Sequence, residues 1–172
     1  TKGWVILLKM NNLAKDEKGN INWENLKKIK YVLVPLIIGG IVGLAISSFI
    51  DYDILNKPAF APPKLTFPIA WTILYILMGI SYGIINEKNL NDYKTKSLYY
   101  SQLGVNALWS VIFFIFKWRL FAFIWIILLD LLVIFMAINF YKKNKLSGLL
   151  QIPYIIWILF ATYLNWGFYI LN

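Results

Sequence analysis

The chain has no cysteine and no histidine among its 172 residues, and only 15% of them are charged. Without cysteine there is no disulfide framework and no thiolate chemistry. Without either residue, the usual zinc donors and haem axial ligands are missing, and so is the commonest general base. Most enzyme classes, and any metal site of the ordinary kind, are therefore not expected. Charge is scarce beside the roughly 25% of a typical soluble domain. In its place the chain is 60% hydrophobic and 18% aromatic. That is more apolar surface than a water-soluble fold can hide, and it indicates an integral membrane protein. The net charge of +9 does not argue for nucleic acid as a partner, because the basic residues lie between apolar runs rather than along one binding face.

A membrane helix needs about 20 mainly apolar residues. Five segments meet this, at about 31–50, 66–86, 98–116, 121–141 and 149–171. They predict an all-α, five-helix transmembrane bundle spanning residues 31–172. None shows the strict alternation of β-barrel strands. Residues 1–30 read as a polar N-terminal arm, an extension of the membrane domain, in which 23–29 could form a short interfacial helix. The run Trp4–Leu8 is shorter than the roughly 7–15 apolar residues of a signal-peptide core. Thirteen Lys and Arg residues fall in the arm and the loops at 87–97 and 142–148; four fall in the loops at 51–65 and 117–120. The positive-inside rule then predicts a cytoplasmic N-terminus and an extracytoplasmic C-terminus, with a bacterial cell membrane as the setting.

The first extracytoplasmic loop contains Lys57-Pro58-Ala59-Phe60-Ala61-Pro62-Pro63-Lys64. Three prolines in six residues leave it little freedom to lose, because each fixes its own φ and restricts its predecessor. Such a loop can hold a fixed shape over a cavity. Gly39 with Gly43, and Gly79 with Gly83, are spaced to let helices approach closely, and packing within the chain is the expected use. Pro35 and Pro153 are read as lying near the starts of their spans, where a missing N–H costs least.

Three spans carry aromatic and amide residues at helical spacing. Trp71, Tyr75, Met78 and Tyr82 share one face; so do Gln102, Asn106, Trp109 and Phe113, and also Tyr154, Trp157, Ala161 and Asn165, with Phe160 beside them. Amides are costly against lipid, so these faces should point inward. An interior of Trp, Tyr and Phe with a few hydrogen-bonding groups suits a flat, mostly apolar ligand. The plainer alternative is a packed bundle whose amides bond one another across helices. Trp118, Trp166 and Tyr169 sit near span ends, as interfacial belt residues do. Asp130 is the one acid inside a span. It is expected to be protonated, or bonded to a Tyr, Trp or amide on a facing helix, with structural anchoring the first reading and direct function the second.

Taken together, these motifs resemble the TspO/MBR family, the tryptophan-rich sensory proteins related to the translocator protein (the peripheral benzodiazepine receptor). The first-loop motif runs from Lys57 to Pro63 and continues through Trp71-Thr72-Ile73-Leu74-Tyr75-Ile76-Leu77-Met78-Gly79. Asn106-Ala107-Leu108-Trp109-Ser110 looks like the third-helix motif. Pro153-Tyr154-Ile155-Ile156-Trp157 and Phe160-Ala161-Thr162-Tyr163-Leu164-Asn165-Trp166 look like the fifth, and Asp130 matches an acidic residue in the fourth. The resemblance implies a five-helix bundle, often a homodimer, that acts as a receptor for porphyrins such as protoporphyrin IX, without a required cofactor. The implied lining is Trp71, Tyr75, Asn106, Trp109, Trp157, Phe160 and Ala161, with Tyr52 and Pro62 from the lid. Some bacterial members degrade bound porphyrin in light, which would give Trp71 and Trp157 a catalytic role; a transporter of porphyrin or sterol-like ligands ranks behind both. The sterol-recognition segment of relatives ends in a basic residue, whereas here no Lys or Arg follows Tyr163, so sterol binding is not expected.

Overall fold

The computed structural model describes the chain from Trp23 to Asn172, with side chains described from Ile29 onward. The polar arm before Trp23 lies outside the described residues. The ordered elements of the described chain are all helices: α1 (Trp23–Ile46, ending in a 3-10 turn at Ser47–Phe49), α2 (Thr66–Glu87), α3 (Tyr93–Ser110, running into a π-helical segment at Val111–Ile115), α4 (Arg119–Lys143), the short α5 (Lys145–Leu149) and α6 (Ile152–Leu171). Five segments are long and apolar enough to cross a membrane. The protein is an integral, multi-pass membrane protein, and the expected five-helix bundle is what forms.

Three local readings change. Residues 23–29 are not a separate interfacial helix, because α1 is continuous from Trp23. Pro35 consequently lies in the interior of α1, not near its start. Its ring can give no N–H to the carbonyl of Tyr31, and that carbonyl lies against Gly79, where an added Cβ would collide with the Tyr31 and Val32 backbone. The helix thus turns a lost hydrogen bond into a close crossing between α1 and α2. The fifth span is broken near its start: Asn144 caps α5 by accepting from the Ser147 amide at 3.0 Å, and α6 begins two residues beyond α5 with Pro153 in its first turn. There Pro153 is where the sequence put it.

The glycines divide by side. Gly39 makes room for the Tyr75 ring and Gly83 lies against Tyr31, while Gly43 faces open space. Packing within the chain therefore accounts for three of the four spaced glycines. On α1 and α4 the large apolar residues Ile37, Ile41, Leu44, Ile124, Leu128, Leu131 and Phe135 are exposed, as lipid-facing residues are in a bundle that has no water to escape. Trp118, Trp166 and Tyr169 are exposed at the loop end.

Inside are two cores. The larger holds Met78, Tyr82, Tyr99, Val133, Met136, Phe140 and Ile158, all fully or almost fully buried. The smaller, at the loop end, holds Tyr52, Ile112, Phe113, Ala122, Leu164 and Phe168. Trp109 packs against both.

Candidate functional site

All three predicted stripes turn inward. Met78, Tyr82, Gln102, Asn106, Phe113, Tyr154, Ala161 and Asn165 are buried; Trp71, Tyr75, Trp109, Trp157 and Phe160 are half-buried. Two of the three stripe amides, Gln102 and Asn106, find partners as the hydrophobic surroundings require. Asn106 Nδ2 donates to the Tyr154 hydroxyl at 3.1 Å, and that hydroxyl donates to Gln102 Oε1 at 2.9 Å. Gln102 Nε2 in turn meets Met78 Sδ at 3.1 Å. This line fixes α2, α3 and α6 to one another and forms a polar floor.

Over the floor lies an aromatic row made of two sets of touching rings, one of Trp71, Tyr75 and Tyr154 and one running from Phe160 to Trp109. Trp71 stacks on Tyr75 (centroids 5.6 Å apart) and meets Tyr154 edge-on at 6.1 Å. Phe160 neighbours Trp157 at 5.9 Å, and Trp157 neighbours Phe67 at 6.0 Å. Phe67 touches Tyr52, which touches Phe168, which touches Phe113, which stacks on Trp109. The row thus joins three helices through the loop. Phe67 and Phe168 were not among the predicted site residues. Both carried a signal: Phe67 is four residues before Trp71, and Phe168 is seven after Ala161, so each extends a stripe already drawn.

The loop closes as a lid. Tyr52 donates its hydroxyl to the Pro62 carbonyl, a bond across the loop itself. Burial, reinforced by the neighbouring Asp53 charge, raises the Tyr52 hydroxyl above its ordinary range, so it stays a donor. Pro58 sits on Gly167, where any Cβ would overlap its ring. The Tyr163 hydroxyl donates to the Ala59 carbonyl at 2.8 Å. Asn56 and Asn172 clasp one another: the Asn56 amide donates to Asn172 Oδ1 at 2.9 Å and Asn172 Nδ2 to the Asn56 carbonyl at 3.0 Å. At the loop's root, Arg119 and Lys117 hold Asp51. Burial works to raise that carboxyl, but the two cations outweigh it and keep it below the usual range.

Four side chains in and around the row keep buried polar atoms without partners: the indole N–H of Trp109, the indole N–H of Trp157, the amide of Asn165 and one oxygen of Asp130. An orphaned buried donor ordinarily costs about 1–3 kcal/mol. Such atoms among half-buried rings have the chemistry of a site that a hydrogen-bonding ligand completes. Of the two expectations for Asp130, protonation or a bond to a Tyr, Trp or amide, the second is not what forms. Asp130 Oδ2 lies 2.8 Å from Thr162 Oγ1 on α6, because α4 packs directly on α6 and a short hydroxyl is what stands opposite. Among the described residues no cluster of acids could hold a metal ion.

The TspO/MBR family pattern matches residues 31–171. The tryptophan-rich protein TspO of Archaeoglobus fulgidus is 41% identical, over 86% of this chain and 97% of its own. The protein CrtK of Rhodobacter capsulatus is 36% identical, over 81% and 89%. The human translocator protein is 29% identical, over 67% and 70%. On the strength of the family match, and of relatives that cover most of both chains, this chain belongs to the TspO/MBR family.

Proposed function

We propose that the chain binds a porphyrin of the protoporphyrin IX kind between the lid and the aromatic row, acting as a membrane receptor in tetrapyrrole handling or stress sensing. The observation that carries this is the row itself: two sets of touching rings, half-buried at Trp71, Tyr75, Trp109, Trp157 and Phe160, with the indole N–H groups of Trp109 and Trp157 unpartnered. Ring stacking supplies the affinity for a flat π-system. The two indoles donate to acceptor atoms on the ligand, and Ala161 is the small residue of its stripe, where a larger one would crowd the rings. Lys64 is held by Asp53 at 3.0 Å, whereas Lys57 lies over the Tyr52 ring at 4.9 Å and is the better placed to meet a propionate. With no His or Cys in the chain, a metal-free porphyrin fits better than ligated haem.

The same reading carries a homodimer, for which the open faces at Gly40, Gly43 and Gly104 leave flat helix surface, and an extracytoplasmic lid opposite the lysine-rich loops. Dark titration of the detergent-purified protein with protoporphyrin IX, followed by tryptophan quenching and the Soret shift, tests the binding. Saturation at about one site per chain, weakened in Trp71→Ala, Trp157→Ala and Ala161→Phe, is expected. Non-saturable uptake that ignores all three changes would mean partitioning into detergent.

One observation favours a second reading. Trp71 touches Tyr75 and Tyr154, a Trp–Tyr contact suited to passing an electron from an illuminated ligand. Light-dependent oxidation of the porphyrin, with dioxygen as oxidant, would then run through Trp71 and Trp157. A bilin-like absorbance that forms only in light and disappears in Trp71→Phe or Trp157→Phe would support it; equal yield in both variants would end it.

A further inference from the structure

The lid's root carries a charge cluster that the aromatic row does not require. Arg119, the first residue of α4, brings one guanidinium nitrogen to both oxygens of Asp51, at 2.8 and 3.1 Å. Its other nitrogen donates to the Phe113 carbonyl at 2.7 Å. The guanidinium carbon stands 4.1 Å over the Phe113 ring. Only 11% of either the Arg119 or the Asp51 side chain is exposed. Two backbone features make this reach available. The π-helical segment Val111–Ile115 departs from the α-helical bonding pattern, and Phe113, whose carbonyl Arg119 takes, lies within it. Lys117 adopts a left-handed φ of 56°, which reverses the chain into α4 and sets its own ammonium 3.3 Å from the same carboxylate.

Asp51 immediately precedes Tyr52. The contacts close a ring: Arg119 to Asp51, Asp51 through the chain to Tyr52, Tyr52 to Phe168, Phe168 to Phe113, and Phe113 back to Arg119. One side chain therefore touches both the hinge of the lid and the end of the row it covers. Among the described residues, the lid's far side meets α6 through neutral hydrogen bonds and van der Waals contact. A shielded, multiply bonded ion pair is stronger than those ties and is costly to half-remove.

We propose that Arg119 is a positioning residue of the ligand site: by gripping Asp51 it holds Tyr52 over the aromatic row and sets how fast a flat ligand escapes from beneath the lid. The ligand half of this rests on the porphyrin reading above; the lid half does not. The test uses the full chain in detergent or nanodiscs, with two readouts. Amide hydrogen exchange of residues 52–65 without ligand reports the lid. The dark dissociation rate of protoporphyrin IX into excess lipid vesicles reports escape.

Asp51→Asn and Arg119→Gln should each speed lid exchange and porphyrin release by about tenfold or more, a change equivalent to losing roughly 1.4 kcal/mol. The double variant should fall short of the sum of the two singles, because they share the Arg119–Asp51 interaction. Asp51→Glu, which keeps the charge, should stay near wild type, and exchange in α2 around Tyr82 should not move in any of them. Wild-type lid exchange in both single variants would overturn the grip. Unchanged release from a lid that exchanges faster would overturn its control of escape. If Arg119→Gln does not fold, the nearly isosteric Asp51→Asn carries the test. If the wild type binds no porphyrin, the porphyrin reading fails on its own, and lid exchange alone upholds or overturns the grip.

Discussion

The two ends of the bundle are built differently. At the end away from the lid, Tyr82 and Tyr99 stack with centroids 3.8 Å apart and nearly parallel planes, against Phe140 and with Tyr31 edge-on to Tyr82. Tyr82, Tyr99 and Phe140 are buried, and Ser81 donates to the Ser147 carbonyl across helices at 2.7 Å. At the lid end Trp109, Trp157 and Phe160 are half-buried beside the buried Tyr52, Phe113 and Phe168, indole N–H groups lack partners, and closure depends on hydrogen bonds and ion pairs between a loop and the ends of helices. One end is a permanent core. Unpartnered buried polar atoms occur at both ends, the Tyr99 hydroxyl among them; what the lid end adds is half-buried rings beneath a loop, and a ligand site needs such walls and a cover that can part from them.

Substitutions can break this contrast, and those at the closed end should cost most. Tyr82→Ala would empty a fully packed layer, at about 3–5 kcal/mol, and should lower the thermal midpoint in detergent more than any lid-end change. Gly79→Val would drive a Cβ into the α1 backbone, at about 3 kcal/mol, whereas Gly43→Val, which meets open space, should fall within about 0.5 kcal/mol of wild type. Equal losses at the two glycines would refute the crossing at Gly79. Trp157→Ala should reverse the pattern: a modest midpoint shift, but at least a tenfold loss of porphyrin affinity, since an aromatic anchor is commonly worth more than 1.4 kcal/mol.

Acid should loosen the lid. Asp51 has its carboxyl lowered in the folded protein. Its contribution is therefore fully present above the ordinary carboxylate value of 3.8 and is lost as pH falls through the lower folded value. Being only slightly exposed, the pair should be worth about 2 kcal/mol, between exposed and buried cases. Lid exchange that rises on acidification below that range in wild type, and is already fast and flatter in Asp51→Asn, is the expected outcome. Smallest of all, Lys64→Ala removes an exposed ion pair with Asp53 and should change stability by less than about 1 kcal/mol.

Much of the bundle was legible in the sequence because lipid imposes a simple rule: apolar length marks a span, and an amide marks the inward face. The stripes containing Gln102, Asn106 and Asn165 oriented two helices, α3 and α6, correctly for that reason. Apolar length marks membrane thickness, though, not helix length. So α1 extends into the polar arm and leaves Pro35 in a helix interior, and α3 starts at Tyr93, where Asp92 caps it. The π-helical stretch Val111–Ile115 carries no Gly or Pro to announce it. Pairings between elements were invisible because they depend on helix register. Asp51 and Arg119 are 68 residues apart, and nothing in the periodicity of α4 and α6 selects Thr162 for Asp130. The lid was readable as stiff from its prolines, but what ties it down lies in the ends of other helices.

The division between a permanent core and an openable site is tested most directly by hydrogen exchange along the whole chain, with and without protoporphyrin IX in the dark. Protection confined to the lid at 52–65 and to the neighbouring turns around Trp71, Trp109 and Trp157, with the layer around Tyr82 and Tyr99 slow in both states, is the predicted result. Protection centred on the tyrosine layer, or none anywhere at saturating porphyrin, would contradict it.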